Sequence, residues 1–271
     1  ARPDTCSEPK LYYHPDDLLT DQGLLIPPGV VNVWRDMAEA DILRRLALAY
    51  RQPDTPLAAL IDGQLTLRLI DLPAARQEEY LQQYLSVLDD LRRQETLLAA
   101  YIDRPRGSYV LSLLHLSGHS PEQITEDTLR RNPFAGLTDA ALFGDLPPGH
   151  RTALFKMRAK GHIPYAEAGH GVRFFYLNTG TAEHPNVVRV EIPRWVAEER
   201  ARLDALHAIL QMQTAIAGGY PYVLARAHEL AIIAPAEREA LETMLAVELR
   251  RRGMAAEVSR KQAHKNALTG R

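Results

Sequence analysis

The chain is 271 residues long, 46% apolar and 24% charged, enough to bury a large core and too apolar for a disordered or fibrous protein. Its single cysteine, Cys6, excludes an internal disulfide and any thiolate-rich metal site, so metal chemistry here would rely on oxygen and imidazole. The formal net charge is −2, yet residues 250–271 carry seven Lys/Arg against one acid, Glu257, a segregation that suits contact with phosphate.

The opening residues are polar and Pro-containing and read as an irregular lead-in. Residues 34–51 follow as a helix, with Leu43, Leu46, Ala47 and Tyr50 recurring on one face and Pro53 ending it. Residues 57–72 are predicted as a β-hairpin, two apolar strands around an Asp62-Gly63 turn. Residues 75–101 read as one long helix and 108–115 as a Val/Leu-rich strand, with short helices starting near Ser120-Pro121 and Thr138. Residues 172–178 and 187–192 are expected to form an antiparallel pair. From Pro193 the chain reads as helix, broken at Gly218-Gly219, resumed at Pro221, interrupted at Pro235 and ended at Gly253. Strands interleaved with longer helices give an α/β fold around a mixed β-sheet, with helical middle and C-terminal segments. No apolar stretch approaches the roughly 20 residues that span a bilayer, and no signal-peptide pattern opens the sequence, so a cytoplasmic protein without a membrane partner is expected.

The residues able to carry chemistry are few. Glu39 lies four residues before Leu43 and seven before Leu46, on the apolar stripe of its own helix, where a carboxylate is costly unless paired or metal-bound. An ion pair with Arg35, one turn earlier, accounts for it equally well. Asp62 has a structural explanation in its Asp-Gly turn, but it also ends an apolar strand, where acids commonly face a site. The two acids together are the oxygen ligands that Mg²⁺ or Mn²⁺ prefers. Tyr220 and His228, eight residues apart in GGYPYVLARAH, would line one groove of a helix about 12 Å apart along its axis. His228 alone is either a hydrogen-bonded core histidine or a ligand or general base. Lys261 and Lys265, one turn apart, suit backbone phosphates or simply solvate a helical tail, and Arg226 is a further phosphate candidate. Walker A, GxSxG, HExxH and dinucleotide fingerprints are absent.

In order along the chain, Arg35-x-x-x-Glu39, the strand LAALIDGQL, YIDRPRGSYVL, LTDAALFGDLPPGHRTALF, GGYPYVLARAH and the terminal SRKQAHK resemble the NurA family of DNA-repair nucleases. The resemblance covers nearly the whole chain and implies a single NurA-like nuclease domain, residues 1–271, with an RNase H-like sheet. It implies that Glu39, Asp62 and His228 hold Mn²⁺, with Mg²⁺ as a substitute, and that Tyr220 serves the same catalytic site. Asp139 lies in a family-like stretch without a firm role. The resemblance further implies a deoxyribonuclease, degrading DNA 5′ to 3′ with single-strand endonuclease activity allowed, that works as a homodimer with the hexameric ATPase HerA in end resection and repair. The family's Asp-Gly-Ser strand does not precede Glu39; as the sequence opens on Ala1 rather than Met, an upstream omission is expected. A non-catalytic DNA-binding or ATPase-adaptor module that has lost part of the metal site is the alternative.

Overall fold

A computed structural model describes residues 5–10, 12, 14, 18, 19 and 23–253. The chain forms two compact units, one of Pro9–Ala225 and one that comprises, among the described residues, 5–8 and 226–253. In chain order the helices are α1 (Pro28–Tyr50), α2 (Ala74–Arg93), α3 (Tyr109–Ser117), α4 (Glu126–Arg130), α5 (Asp139–Leu142), α6 (Ile163–Glu167), α7 (Arg194–Ala197), α8 (Arg200–Ile216), α9 (Tyr222–Ala231) and α10 (Pro235–Arg251). The strands are β1 (Ala58–Asp62), β2 (Leu97–Ile102), β3 (Phe155–Lys156), β4 (Val172–Asn178) and β5 (Val187–Pro193). No helix among the described residues is long and apolar enough to cross a membrane.

The larger unit is mixed α/β, with helices against a five-stranded sheet of order β1-β2-β5-β4-β3. β1 and β2 are parallel and the other neighbours antiparallel. β4 and β5 have the near-continuous apolar runs of strands covered on both faces, and nearly every residue in them is buried. Helix α2 buries Leu81, Tyr84, Leu85, Leu88 and Leu91 at spacings of three and four, the stripe an amphipathic helix turns to a core. Helix α8 does the same with Leu203, Leu206, Leu210 and Thr214.

Three sequence expectations are overturned. The hairpin over 57–72 does not form: β1 pairs in parallel with β2, and the residues after Gly63 leave the sheet. Their polar groups are met by side chains instead of a ladder. Leu65 N–H donates to the Glu191 carboxylate at 3.0 Å, Leu67 N–H to the Tyr165 hydroxyl at 3.0 Å, and Tyr84 O–H to Leu65 C=O at 2.8 Å. The alternation of apolar residues at 65, 67 and 69 therefore reports burial, not strand pairing. The long helix over 75–101 stops at Arg93, because Glu95 takes a left-handed φ of 57° and the apolar run that follows is strand β2.

The third error is residues 108–115, a helix and not a strand. The reason lies far away in sequence: the buried Asp139 carboxylate accepts hydrogen bonds from Val110 N–H and Leu111 N–H, at 3.0 and 2.9 Å, and so caps α3 from another segment. Tyr176 O–H donates to the same carboxylate at 2.7 Å. Across the sheet Tyr176 is paired with Arg189, whose guanidinium lies 3.0 Å from buried Glu191 and stacks over the Tyr109 ring at 4.9 Å. Asp139 is thereby an interior anchor.

A second buried group has a pH consequence. His170, fully buried, accepts a hydrogen bond from Trp195 Nε1 at Nδ1 (3.2 Å), while its Nε2 lies 3.2 Å from Asp89. Burial holds its pKa below the usual histidine range; Asp89 opposes that and Arg92 reinforces it. The unfolded chain therefore takes up this proton first, so the stability it contributes is present above the unfolded pKa of roughly 6.5 and is lost as pH falls below it. His162 and His207, also lowered chiefly by burial, act in the same direction. Urea midpoints should drop between pH 7.5 and 5.5, and the drop should be shallower in His170→Gln; equal drops in the two proteins would refute the assignment.

Candidate functional site

The site is assembled at the C-terminal end of β1. Asp62 is the last residue of that strand and stands in register with Tyr101, which pairs in turn with Val190 and, through it, with Phe175. With a side-chain period of two, these four residues project from one face of the sheet, and Glu191 and Phe174 from the other. Gly63, at φ 121°, turns the chain off the sheet while its N–H still donates to Tyr101 C=O at 2.9 Å. Only glycine takes that angle without strain, which is why an Asp-Gly pair at this place ends a strand instead of turning a hairpin. Asp62 is left exposed at the strand end.

Glu39 comes from α1, which packs on α2 and β1. The core stripe of α1 is Val33, Ala40 and Ala47, so Glu39 is off the stripe, and its side chain is 56% exposed. The core-facing carboxylate expected from periodicity is thus corrected. The ion pair with Arg35 is present at 3.5 Å, with Arg35 also 3.2 Å from Asp36. Partial desolvation lifts the Glu39 pKa above the usual carboxylate range; Arg35 pulls it down, while the charges of Asp36 and Asp62 push it further up. Glu39 and Asp62, 23 positions apart in sequence, are therefore electrostatic neighbours.

Tyr220 completes the group. It follows Gly218 and Gly219, both at positive φ, and its ring meets Tyr101 edge-on, centroids 5.4 Å apart and planes at 89°. Desolvation first, and then the neighbouring charge of Asp62, keep the Tyr220 phenol protonated well above its ordinary range. Tyr101 lies underneath, fully buried, with its hydroxyl pushed up to about 12 by burial. Beside them opens a cavity of about 610 Å³ lined by Tyr220, Asp103, Arg104, Thr179 and Asn186.

This donor set suits a hard divalent cation. The charge of Asp62 opposes ionisation of Glu39, and a cation beside them would relieve that repulsion. Among the described residues no three His, Cys, Asp or Glu side chains are grouped so as to hold a metal ion. Of the three ligands expected from the sequence, Glu39 and Asp62 belong to the larger unit.

The other candidates belong to other segments of the chain. Helix α9 starts at Tyr222, so Tyr220 precedes it, and the spacing of eight does not put Tyr220 and His228 on one helical face. His228 is exposed in the smaller unit, which corrects the core-histidine reading. Arg226, in the same unit, is ion-paired with Glu229. Lys261 and Lys265 lie outside the described residues. Sequence reasoning missed Tyr101 and Asp103, because the helix expected over 75–101 hid strand β2.

A family model described as the NurA domain matches residues 7–233 of the chain. Searches of curated proteins and of solved structures give no match.

Proposed function

The chain belongs to the NurA family, a nuclease family of DNA processing, and from that premise we propose that it is a metal-dependent deoxyribonuclease whose site is built on Glu39, Asp62 and Tyr220. The observation that carries the reading is that Asp62 ends strand β1 and acts electrostatically on both Glu39 and Tyr220. Mn²⁺, or Mg²⁺ in its place, would be held by Glu39 and Asp62, with His228 as a further ligand by family resemblance. When bound, such an ion offsets negative charge on a phosphate and acidifies water beside it. The protein's own part is orientation. Tyr220 would position the Asp62 carboxylate, and Arg35 pairs with Glu39. Arg226, Lys261 and Lys265 would hold backbone phosphates, giving salt-sensitive binding without base readout.

The finer reading, also proposed, is a 5′ to 3′ exonuclease with single-strand endonuclease activity allowed. It works in one NurA-like domain with an RNase H-like sheet, as a homodimer with HerA in the cytoplasm. The test is incubation of labelled DNA with Mn²⁺, with EDTA as control. Glu39→Gln should lower cleavage by about 10-fold or more, the usual cost of disturbing groups around a metal site. Metal-independent products, or none from the full-length protein, would overturn the reading. The second outcome would favour a non-catalytic DNA-binding or ATPase-adaptor module, a reading that the lack of a three-residue metal cluster among the described residues also supports.

A further inference from the structure

We propose that Tyr101 is a positioning residue for the nuclease site, setting Tyr220 against Asp62 by clamping the peptide that precedes Tyr220. The inference rests on the proposed function and deepens it. Tyr101 is buried under the site and is the cross-strand partner of Asp62, so the two move with one pair of strands. Its ring supports that of Tyr220 edge-on, and its hydroxyl donates to Gly219 C=O at 3.2 Å. That carbonyl belongs to the peptide unit leading into Tyr220.

The same carbonyl receives a second, longer bond from Asn186 Nδ2 at 3.5 Å, and Asn186 Nδ2 also donates to Thr179 Oγ1 at 2.9 Å. Strand β2, through Tyr101, and the loop between β4 and β5, through Asn186, therefore converge on Gly219 C=O from two sides. Such fixing is needed there, because Gly219 sits at φ 114° and two successive glycines give the turn little stiffness of its own. A tyrosine hydroxyl spent on a backbone carbonyl, with its ring against a second tyrosine beside a site acid, is the arrangement of an outer support that holds an inner side chain in one rotamer.

Tyr101→Phe keeps the ring and removes the clamp; Tyr176→Phe is its control, removing a buried hydroxyl that bonds Asp139 on the face of the sheet opposite Asp62. Both should lose a similar few degrees of Tm. Only Tyr101→Phe should lower kcat for Mn²⁺-dependent cleavage, by about 10-fold, with KM for DNA unchanged. A second readout needs no activity: in protein labelled with ¹³Cζ-tyrosine, Asp62→Asn should shift the Tyr220 resonance in the otherwise wild-type chain and fail to shift it when Tyr101 is Phe. If the wild type does not cleave DNA, the nuclease reading fails and the resonance test still judges the clamp. If Asp62→Asn shifts Tyr220 equally in both backgrounds, or kcat is unchanged in Tyr101→Phe, the positioning role is wrong.

Discussion

Asp62→Asn will leave the fold intact and reduce Mn²⁺-dependent DNA cleavage by about 100-fold or more, beyond the cost of an outer-support change, because it removes one of the two anionic oxygen donors of the site. The side chain is exposed at the end of an edge strand, so an isosteric amide should alter stability by no more than about 0.5 kcal/mol. The amide keeps the shape of the side chain and one oxygen acceptor, so the variant isolates loss of charge. The measurement is a rate on labelled DNA across a Mn²⁺ titration, beside a thermal melt. A variant that cleaves at the wild-type rate at every Mn²⁺ concentration would remove Asp62 from the chemistry. One that is rescued at high Mn²⁺ would show that its contribution is affinity for the ion.

The legible and illegible parts of this molecule divide by range. β4 and β5 could be read because a short run rich in Val and aromatic residues, flanked by Gly and Pro, needs no knowledge of its neighbours. Strand β2 was merged with α2 because the Gln94-Glu95-Thr96 link between them contains no Gly or Pro, and the break is a left-handed Glu95 that sequence does not announce. One local signal was available: LAALID at 57–62 and LAAYID at 98–103 are nearly the same string. Two such strings ending in an acid, with 35 residues between them, fit two parallel strands joined by a helix. The paired register, Ala58 to Leu97, then carries Asp103 beyond Asp62 toward the cavity beside Tyr220. At the site the residue types were readable and their meeting was not. Glu39 and Asp62 approach through the packing of α1 on β1, and Tyr220 reaches Asp62 only after a further 158 residues of chain. Tyr101 was invisible as a functional residue for a plainer reason: a buried tyrosine in an apolar run looks like core, and it is core as well.

Asp139 illustrates the opposite case, an acid in a family-like stretch whose work lies in the interior, and its truncation should be the most destabilising single change in the larger unit. Asp139→Ala strands three donors at once: Val110 N–H and Leu111 N–H at the start of α3, and the Tyr176 hydroxyl. All lie in a region closed to water, since Asp139 itself has no exposed surface. Leaving buried donors unpaired costs about 1–3 kcal/mol each, partly relieved by relaxation, so a loss of about 3–5 kcal/mol is expected. For a chain of this size that is a Tm lower by roughly 10 °C. Asp139→Asn should fall between, because one oxygen still accepts while the new amide N–H₂ meets N–H or O–H donors. Thermal melts by circular dichroism decide the matter. A shift of under about 2 °C for Asp139→Ala, less than 1 kcal/mol on the same scale, would mean that the helix start and Tyr176 find other partners. The variants also separate the two roles an acid can play in this chain. An interior anchor loses activity in proportion to the folded fraction and regains it on cooling, whereas a site acid such as Asp62 loses activity at full stability.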